Sequence, residues 1–124
     1  MARVVVAFII NDGKVLLIKH KRKGIWLPVG GHVEEGESDL EALKREIKEE
    51  VGLDVEPATE PFWIMEEPGE ITPHYVCKSL TNNITICKEE IDDFRWFSKE
   101  EIDSSNIRDD LKKIVIKVLS TYNY

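Results

Sequence analysis

The sequence predicts an α/β (α+β) fold in which a mixed β-sheet is sandwiched between helices. Three observations predict it: two β-branched-rich runs near the start, a capped amphipathic helix pattern from residue 38 to 52, and a second helical pattern that closes the chain after a further set of strand-like runs. An order of β-rich, helix, β-rich, helix gives each apolar helix stripe a sheet face to cover, which is how layered domains bury their cores.

Arg3 to Ile10 and Lys14 to Lys19 read as strands, and Asn11-Asp12-Gly13 between them is a hairpin signal. A short extended piece at Ile25 to Val29 leads into a loop with two adjacent glycines, Gly30 and Gly31. Ser38 followed by Glu41 is a capping-box pattern that opens a helix. Leu40, Leu43, Ile47 and Val51 recur on one helical face, and Gly52 stands where a left-handed residue ends it. Val55 and Phe62 to Glu66 read as strand, interrupted by Pro57 and Pro61, and Pro68-Gly69-Glu70 is a turn. Ile71 to Leu80 and Ile84 to Glu89 follow as strands, and then comes Phe94 to Phe97. Ser98 to Glu101 is a second capping box on a short helix. Ile107 to Leu119 is the closing helix, with Leu111, Ile114, Val115, Val118 and Leu119 on one face. Neither repeat, low-complexity tract nor linker divides the chain, so residues 1–124 are expected to form a single domain.

With 42% apolar and 33% charged residues, the composition is that of a globular protein. The net charge of −7 argues against a nucleic-acid polymer as the main partner, because no broad basic face meets the phosphates. Basic residues cluster only at Lys19-His20-Lys21-Arg22-Lys23, which reads either as a solvated hairpin loop or as a local anion-attracting rim. Cys77 and Cys87 make neither a zinc framework nor a disulfide scaffold, and their apolar strand-like contexts predict buried reduced thiols. The apolar run Val4 to Ile10 is too short for a signal peptide or a membrane span. The expected compartment is the cytoplasm, with no membrane partner.

The chemistry is concentrated between Gly31 and Leu53. Gly31 is followed after five residues by Glu37, and after seven more by Arg45-Glu46-Ile47, then Glu49-Glu50, Gly52 and Leu53. On a helix, Glu46, Glu49 and Glu50 fall at i, i+3 and i+4, within an arc of roughly 100°. Three like charges so placed repel one another, and a divalent cation reverses the sign. Oxygen ligands without a thiolate or paired His suit Mg²⁺ or Mn²⁺ rather than zinc. A run such as Lys44 to Glu50 is otherwise a solvated face laced with ion pairs. The register with Gly31, Glu37, Arg45, Gly52 and Leu53 favours a site.

That register resembles the full Nudix box, Gx5Ex7REUxEExGU with U aliphatic, and no position departs from it. The opening hairpin, Trp26-Leu27-Pro28 and Arg95-Trp96-Phe97-Ser98 are also similar to the family, so the likeness covers nearly the whole chain. The resemblance implies the α/β/α Nudix fold and hydrolysis of a nucleoside diphosphate linked to another moiety. It implies Mg²⁺, with Mn²⁺ as a substitute, held by Glu46, Glu49, Glu50 and the carbonyl of Gly30. Arg45 and Glu37 would brace these ligands and complete the catalytic set. The general base is unassigned among Glu46 and Glu49 in the box and Glu89, Glu90, Asp92 and Asp93 outside it.

The compact chain resembles the MutT-type nucleoside triphosphate hydrolases, so the substrate expected is a small nucleotide of that kind. Pro68, fifteen residues past Leu53, is similar to the pattern of ADP-ribose hydrolases and keeps an ADP-ribose or nucleotide-sugar pyrophosphatase as the alternative. A catalytically silent Nudix domain that senses a nucleotide or binds a partner is the alternative of another class, signalled by a missing box carboxylate, and none is missing. Phe8, Trp26, Phe62, Trp63, His74 and Tyr75 are the aromatic pieces available for a base, with core packing the competing reading for Phe8 and Trp26, and ordinary strand surface for His74 and Tyr75. Substrate contacts stay unassigned, and a homodimer is compatible with the sequence.

Overall fold

The computed structural model describes residues 1–124. Its spine is β1 (Ala2–Asn11), which is paired along both edges. One edge meets β7 (Glu70–Ser79) in parallel, from Ala2 opposite Glu70 to Ile10 opposite Lys78. The other edge is shared by β2 (Lys14–His20), through a tight hairpin, and by β4 (Val29–His32), both antiparallel. Asp12 and Gly13 close that hairpin with φ of 52° and 71°, the left-handed pair of a two-residue turn whose twist matches its strands. Beyond β2 lie β3 (Trp26–Leu27) and β8 (Ile91–Phe97). Along the outer edge of β7 run β6 (Trp63–Glu67) and β5 (Val55–Pro57), one after the other.

Strand alternation sends side chains to two separate cores. Val5, Ala7, Ile9, Leu16, Ile18 and Cys77 pack under α1 (Asp39–Val51), which contributes Ala42, Leu43, Ile47 and Val51. Phe8, Ile10, Leu17, Val76 and Phe97 pack on the opposite face under α2 (Lys99–Asp103) and α3 (Asp109–Thr121). The mixed sheet between helices is therefore the architecture found.

Three expectations need correction. Ile25 to Val29 is not one extended piece ahead of a glycine loop. Pro28 has no N–H to give a ladder, so the chain pairs with β2 before it and with β1 after it, and both glycines lie inside β4. A Cβ at Gly30 would overlap the carbonyl oxygen of Val5, and one at Gly31 would overlap the carboxylate of Glu46, so these glycines serve close approach.

Ile84 to Glu89 forms no strand. The edge of β7 that it would need, Cys77 to Ser79, is occupied by β5. The segment crosses the end of α1 instead, where the amides of Thr85 and Cys87 donate to the carbonyls of Val51 and Glu50, both at 2.9 Å. It thereby satisfies two of the orphan carbonyls of the helix terminus. Cys87 is consequently only half-buried, whereas Cys77 is fully buried and its thiol is pushed up to about 12 by burial. The closing helix begins at Asp109 rather than Ile107, which is buried just ahead of it. No helix is long and apolar enough to cross a membrane.

Candidate active site on the first helix

The placement of the box side chains depends on how α1 is anchored. Ser38 Oγ accepts from the amide of Glu41 at 3.1 Å, and the Glu41 carboxylate accepts from the amide of Ser38 at 2.9 Å, the reciprocal capping box. The next residue ties the helix to the sheet. Asp39 accepts two bonds from the Arg3 guanidinium, at 2.7 and 2.8 Å, and one from the Tyr75 hydroxyl at 2.7 Å. Helix, β1 and β7 are joined at one carboxylate. The Tyr75 hydroxyl is pushed up to about 12, by burial first and then by its bond to Asp39.

One turn along, Arg45 gathers the box carboxylates. Its guanidinium donates to both oxygens of Glu37 (2.7 and 2.9 Å), to Glu46 Oε1 (3.0 Å), to Glu49 Oε2 (3.5 Å) and to the carbonyl of His32 (3.0 Å). Glu37 also accepts from the amide of Glu34 at 2.9 Å. These bonds, Arg45 first, hold the Glu37 carboxyl down to about 2. Arg45 is driven further above its ordinary value, chiefly by Glu37.

Glu50 stands in contrast. It is 6% exposed, and its Oε2 is buried with no hydrogen-bond partner. Burial first, then the charge of Glu46, pushes its carboxyl up to about 8, while the Gly30 backbone pulls the other way. Glu90 and Glu49 add smaller upward pushes. Glu46 is also raised, by burial, with Arg45 opposing. Buried polar atoms are almost always satisfied, so an orphaned carboxylate oxygen beside two further glutamates points to a positive group from outside the chain.

With Glu46 and Glu49 turned toward Arg45, no three His, Cys, Asp or Glu side chains converge as a ready-made metal cage. The donor set nevertheless fits a hard divalent cation: the orphan oxygen of Glu50, the raised carboxyl of Glu46 and exposed Glu49 are all carboxylate oxygens on one helix, and the Gly30 amide reaches the same Glu50 carboxylate. Among the outer acidic candidates, Glu90 is the one whose charge reaches Glu50, while Asp92 and Asp93 are exposed on β8.

A cleft of about 600 Å³ opens beside this patch, bounded by Val6, Leu27, Gly31, Met65, His74 and Arg108 among others. His74 is not ordinary strand surface: it is buried, 4.4 Å from the ring of Trp63 and 5.5 Å from Phe8, with Nδ1 2.9 Å from the carbonyl of Thr72. Burial depresses its pKa below the usual imidazole value. Tyr75, one residue on, points to the opposite face, toward Asp39. The β7 alternation carries the signal that separates them, since Thr72, His74 and Val76 share one face. Phe8 is core, Trp26 packs edge-on against Phe97 at 5.1 Å, and Phe62 packs against Tyr122 at 6.0 Å. A larger hollow of about 760 Å³ lies between the β1–β2 turn and the last residues of the chain, and no box residue lines it.

A family model described as the NUDIX domain matches residues 1–118. The chain belongs to the Nudix family. A solved structure of a NUDIX-family hydrolase from Clostridium perfringens superposes with a TM-score of 0.87, at 27% identity over 96% of each chain. Among curated relatives, the NAD-capped RNA hydrolase ndx-9 of Caenorhabditis elegans is 29% identical over 94 residues, covering 70% of this chain and 25% of that protein. The CTP pyrophosphohydrolase of Escherichia coli is 43% identical over 58 residues, covering 44% of this chain and 43% of that protein. This chain therefore spans less than half the length of either curated relative.

Proposed function

We propose that the chain, as one Nudix domain, is a metal-dependent pyrophosphohydrolase that cleaves a nucleoside diphosphate linked to another moiety. The observation that carries this is the orphaned, buried oxygen of Glu50 within the braced carboxylate patch. Glu46, Glu49, Glu50 and the Gly30 carbonyl would hold Mg²⁺ or Mn²⁺ there. When bound, such an ion offsets the charge that builds on the diphosphate oxygens and helps water attack. Arg45 and Glu37 keep the carboxylates oriented and touch no reacting atom. The cleft beside Gly31 takes the nucleoside, with His74 uncharged near neutral pH and backed by Trp63.

The moiety beyond the diphosphate is better supported as a sugar or second nucleoside than as a bare phosphate chain. NAD-capped RNA hydrolase is the name carried by several relatives, which favours the dinucleotide or ADP-ribose alternative over the MutT-like expectation. A triphosphate remains the second reading, favoured by the stretch shared with CTP pyrophosphohydrolase. The test is hydrolysis, with Mg²⁺, of NAD, ADP-ribose, a nucleotide sugar, a nucleoside triphosphate and an NAD-capped oligonucleotide, scored by release of nucleoside monophosphate. Fastest cleavage of NAD or ADP-ribose supports the main reading, and fastest cleavage of the triphosphate the second. No turnover of any of them by folded protein overturns both in favour of a silent domain.

A further inference from the structure

The basic stretch between β2 and β3 sets three consecutive cations, none with a carboxylate partner, beside the cleft of this acidic chain. Lys21, Arg22 and Lys23 are exposed, and none lies within 4.0 Å of an acidic oxygen, although other surface cations such as Arg3, Lys48 and Arg108 do. These three residues and His20 line, together with Glu89 and Glu90, a cavity of about 360 Å³ to which no hydrophobic residue contributes. His20 and Lys23 also line the cleft beside Gly31, so the two spaces share a wall.

The loop is held in register with the box through backbone alone. The amide of Lys21 donates to the carbonyl of Glu90 at 3.1 Å, the amide of Glu90 to the carbonyl of Cys87 at 3.0 Å, and the amide of Cys87 to the carbonyl of Glu50 at 2.9 Å. Three exposed basic side chains are thus held beyond the carboxylate patch, where they can meet an anion.

We propose that the 21–23 loop is a subsite for a phosphate that continues past the scissile diphosphate, and that it sets a preference for substrates carrying one. This deepens the hydrolase reading above and rests on it. Lys and Arg side chains without a carboxylate partner, lining a hollow that adjoins the cleft, suit a phosphate's several acceptor oxygens, and a local positive field in a net-negative protein concentrates anions where they are needed.

The experiment compares matched substrates on wild type and on the double variant Lys21→Gln, Arg22→Gln, both exposed positions. One pair is a nucleoside diphosphate and its triphosphate; the other is NAD and an NAD-capped dinucleotide. The double variant should lose about tenfold in kcat/KM on the phosphate-extended member, mostly through KM, and stay within about twofold on the shorter member. Its salt dependence on the extended substrate should flatten, by about one unit of log–log slope per lost contact. Lys113→Gln, Lys117→Gln on exposed positions of α3 makes the same change in net charge and should do neither. An effect in the triphosphate pair alone assigns the subsite to small polyphosphates, and one in the capped pair alone to a nucleic-acid 5′ end. Equal losses on both members of a pair, or no loss on either, overturn the proposal. If wild type cleaves nothing, the hydrolase reading fails by itself, and binding of inorganic tripolyphosphate, followed by calorimetry, decides the subsite: loss of binding in the double variant supports it and unchanged binding overturns it.

Discussion

The two ends of the box helix place the same residue type under opposite conditions. At its start, Glu37 is met by a bidentate guanidinium and a backbone amide, and its proton affinity drops to about 2. At its end, Glu50 is buried with one oxygen unmatched, and its proton affinity rises to about 8. The first carboxylate is complete within the chain; the second needs something from outside. The contrast separates a carboxylate fully satisfied by Arg45 from one whose buried oxygen has no partner within the chain.

The largest effect should come from removing the incomplete end. Glu50→Gln keeps the shape and discards the charge, so activity should fall at least about a hundredfold while the fold persists. Steady-state rates at saturating Mg²⁺, with circular dichroism as the fold control, check both halves. Near-normal activity at limiting Mg²⁺ would show that Glu50 holds no ion.

Breaking the complete end should cost less chemistry. Arg45→Ala frees Glu37, Glu46 and Glu49 and the His32 carbonyl at once, and metal affinity should fall about 10- to 100-fold. A Mn²⁺ titration followed by electron paramagnetic resonance measures that affinity directly. An unchanged affinity would reduce Arg45 to a surface ion pair.

Protons sharpen the comparison, because the two shifts have opposite signs. Glu50 binds its proton more tightly when folded, so its contribution is fully present below the unfolded value near 4.5 and is lost as pH rises through about 8. Glu37 contributes above its unfolded value near 4.5, and that is lost as pH falls toward about 2. Metal-free protein should therefore melt at progressively lower temperature as pH rises from about 4.5 to about 8 and level off above that, and Mg²⁺ should reverse most of the fall. Scanning calorimetry across that range, repeated on Glu50→Gln, should show a flatter profile for the variant. An equally steep profile would place the titrating group elsewhere.

The smallest effect should be at the anchor. Tyr75→Phe removes one hydrogen bond to Asp39 and leaves the Arg3 pair in place. Stability should drop by about 1 kcal/mol in urea unfolding, with kcat within about twofold of wild type. A larger loss of rate than of stability would mean that the anchor also positions the catalytic patch.

What could be read from the sequence was local. The α1 caps, its apolar stripe and the spacing of its glutamates all lie within one or two turns, where dihedral preference and helical period act directly. The Asp39 anchor is invisible in the sequence because its two partners, Arg3 and Tyr75, meet it only after the sheet forms. Ile84 to Cys87 has the composition of a strand and is denied a ladder by β5, a competition between distant segments that no window can register. Two adjacent glycines read as a loop because they permit backbone conformations closed to other residues, whereas the structure sets them in β4 against the Val5 carbonyl and the Glu46 carboxylate. His74 was ambiguous for the same cause, since its burial is set by Trp63 and Phe8.

The parallel pairing of β1 with β7 also dictates a folding history. Ile10 lies opposite Lys78, so the central ladder joins the two strands only after the whole box helix has been made. Closing so long a loop is slow compared with hairpin or helix formation. During synthesis the β1–β2 hairpin and α1 come first, and for that interval the far edge of β1 is an unpaired strand flanked by apolar side chains. Such an edge is a template for another chain. The yield of this protein during refolding should consequently be governed by concentration, and slowing the encounter between chains should matter more than strengthening the helix.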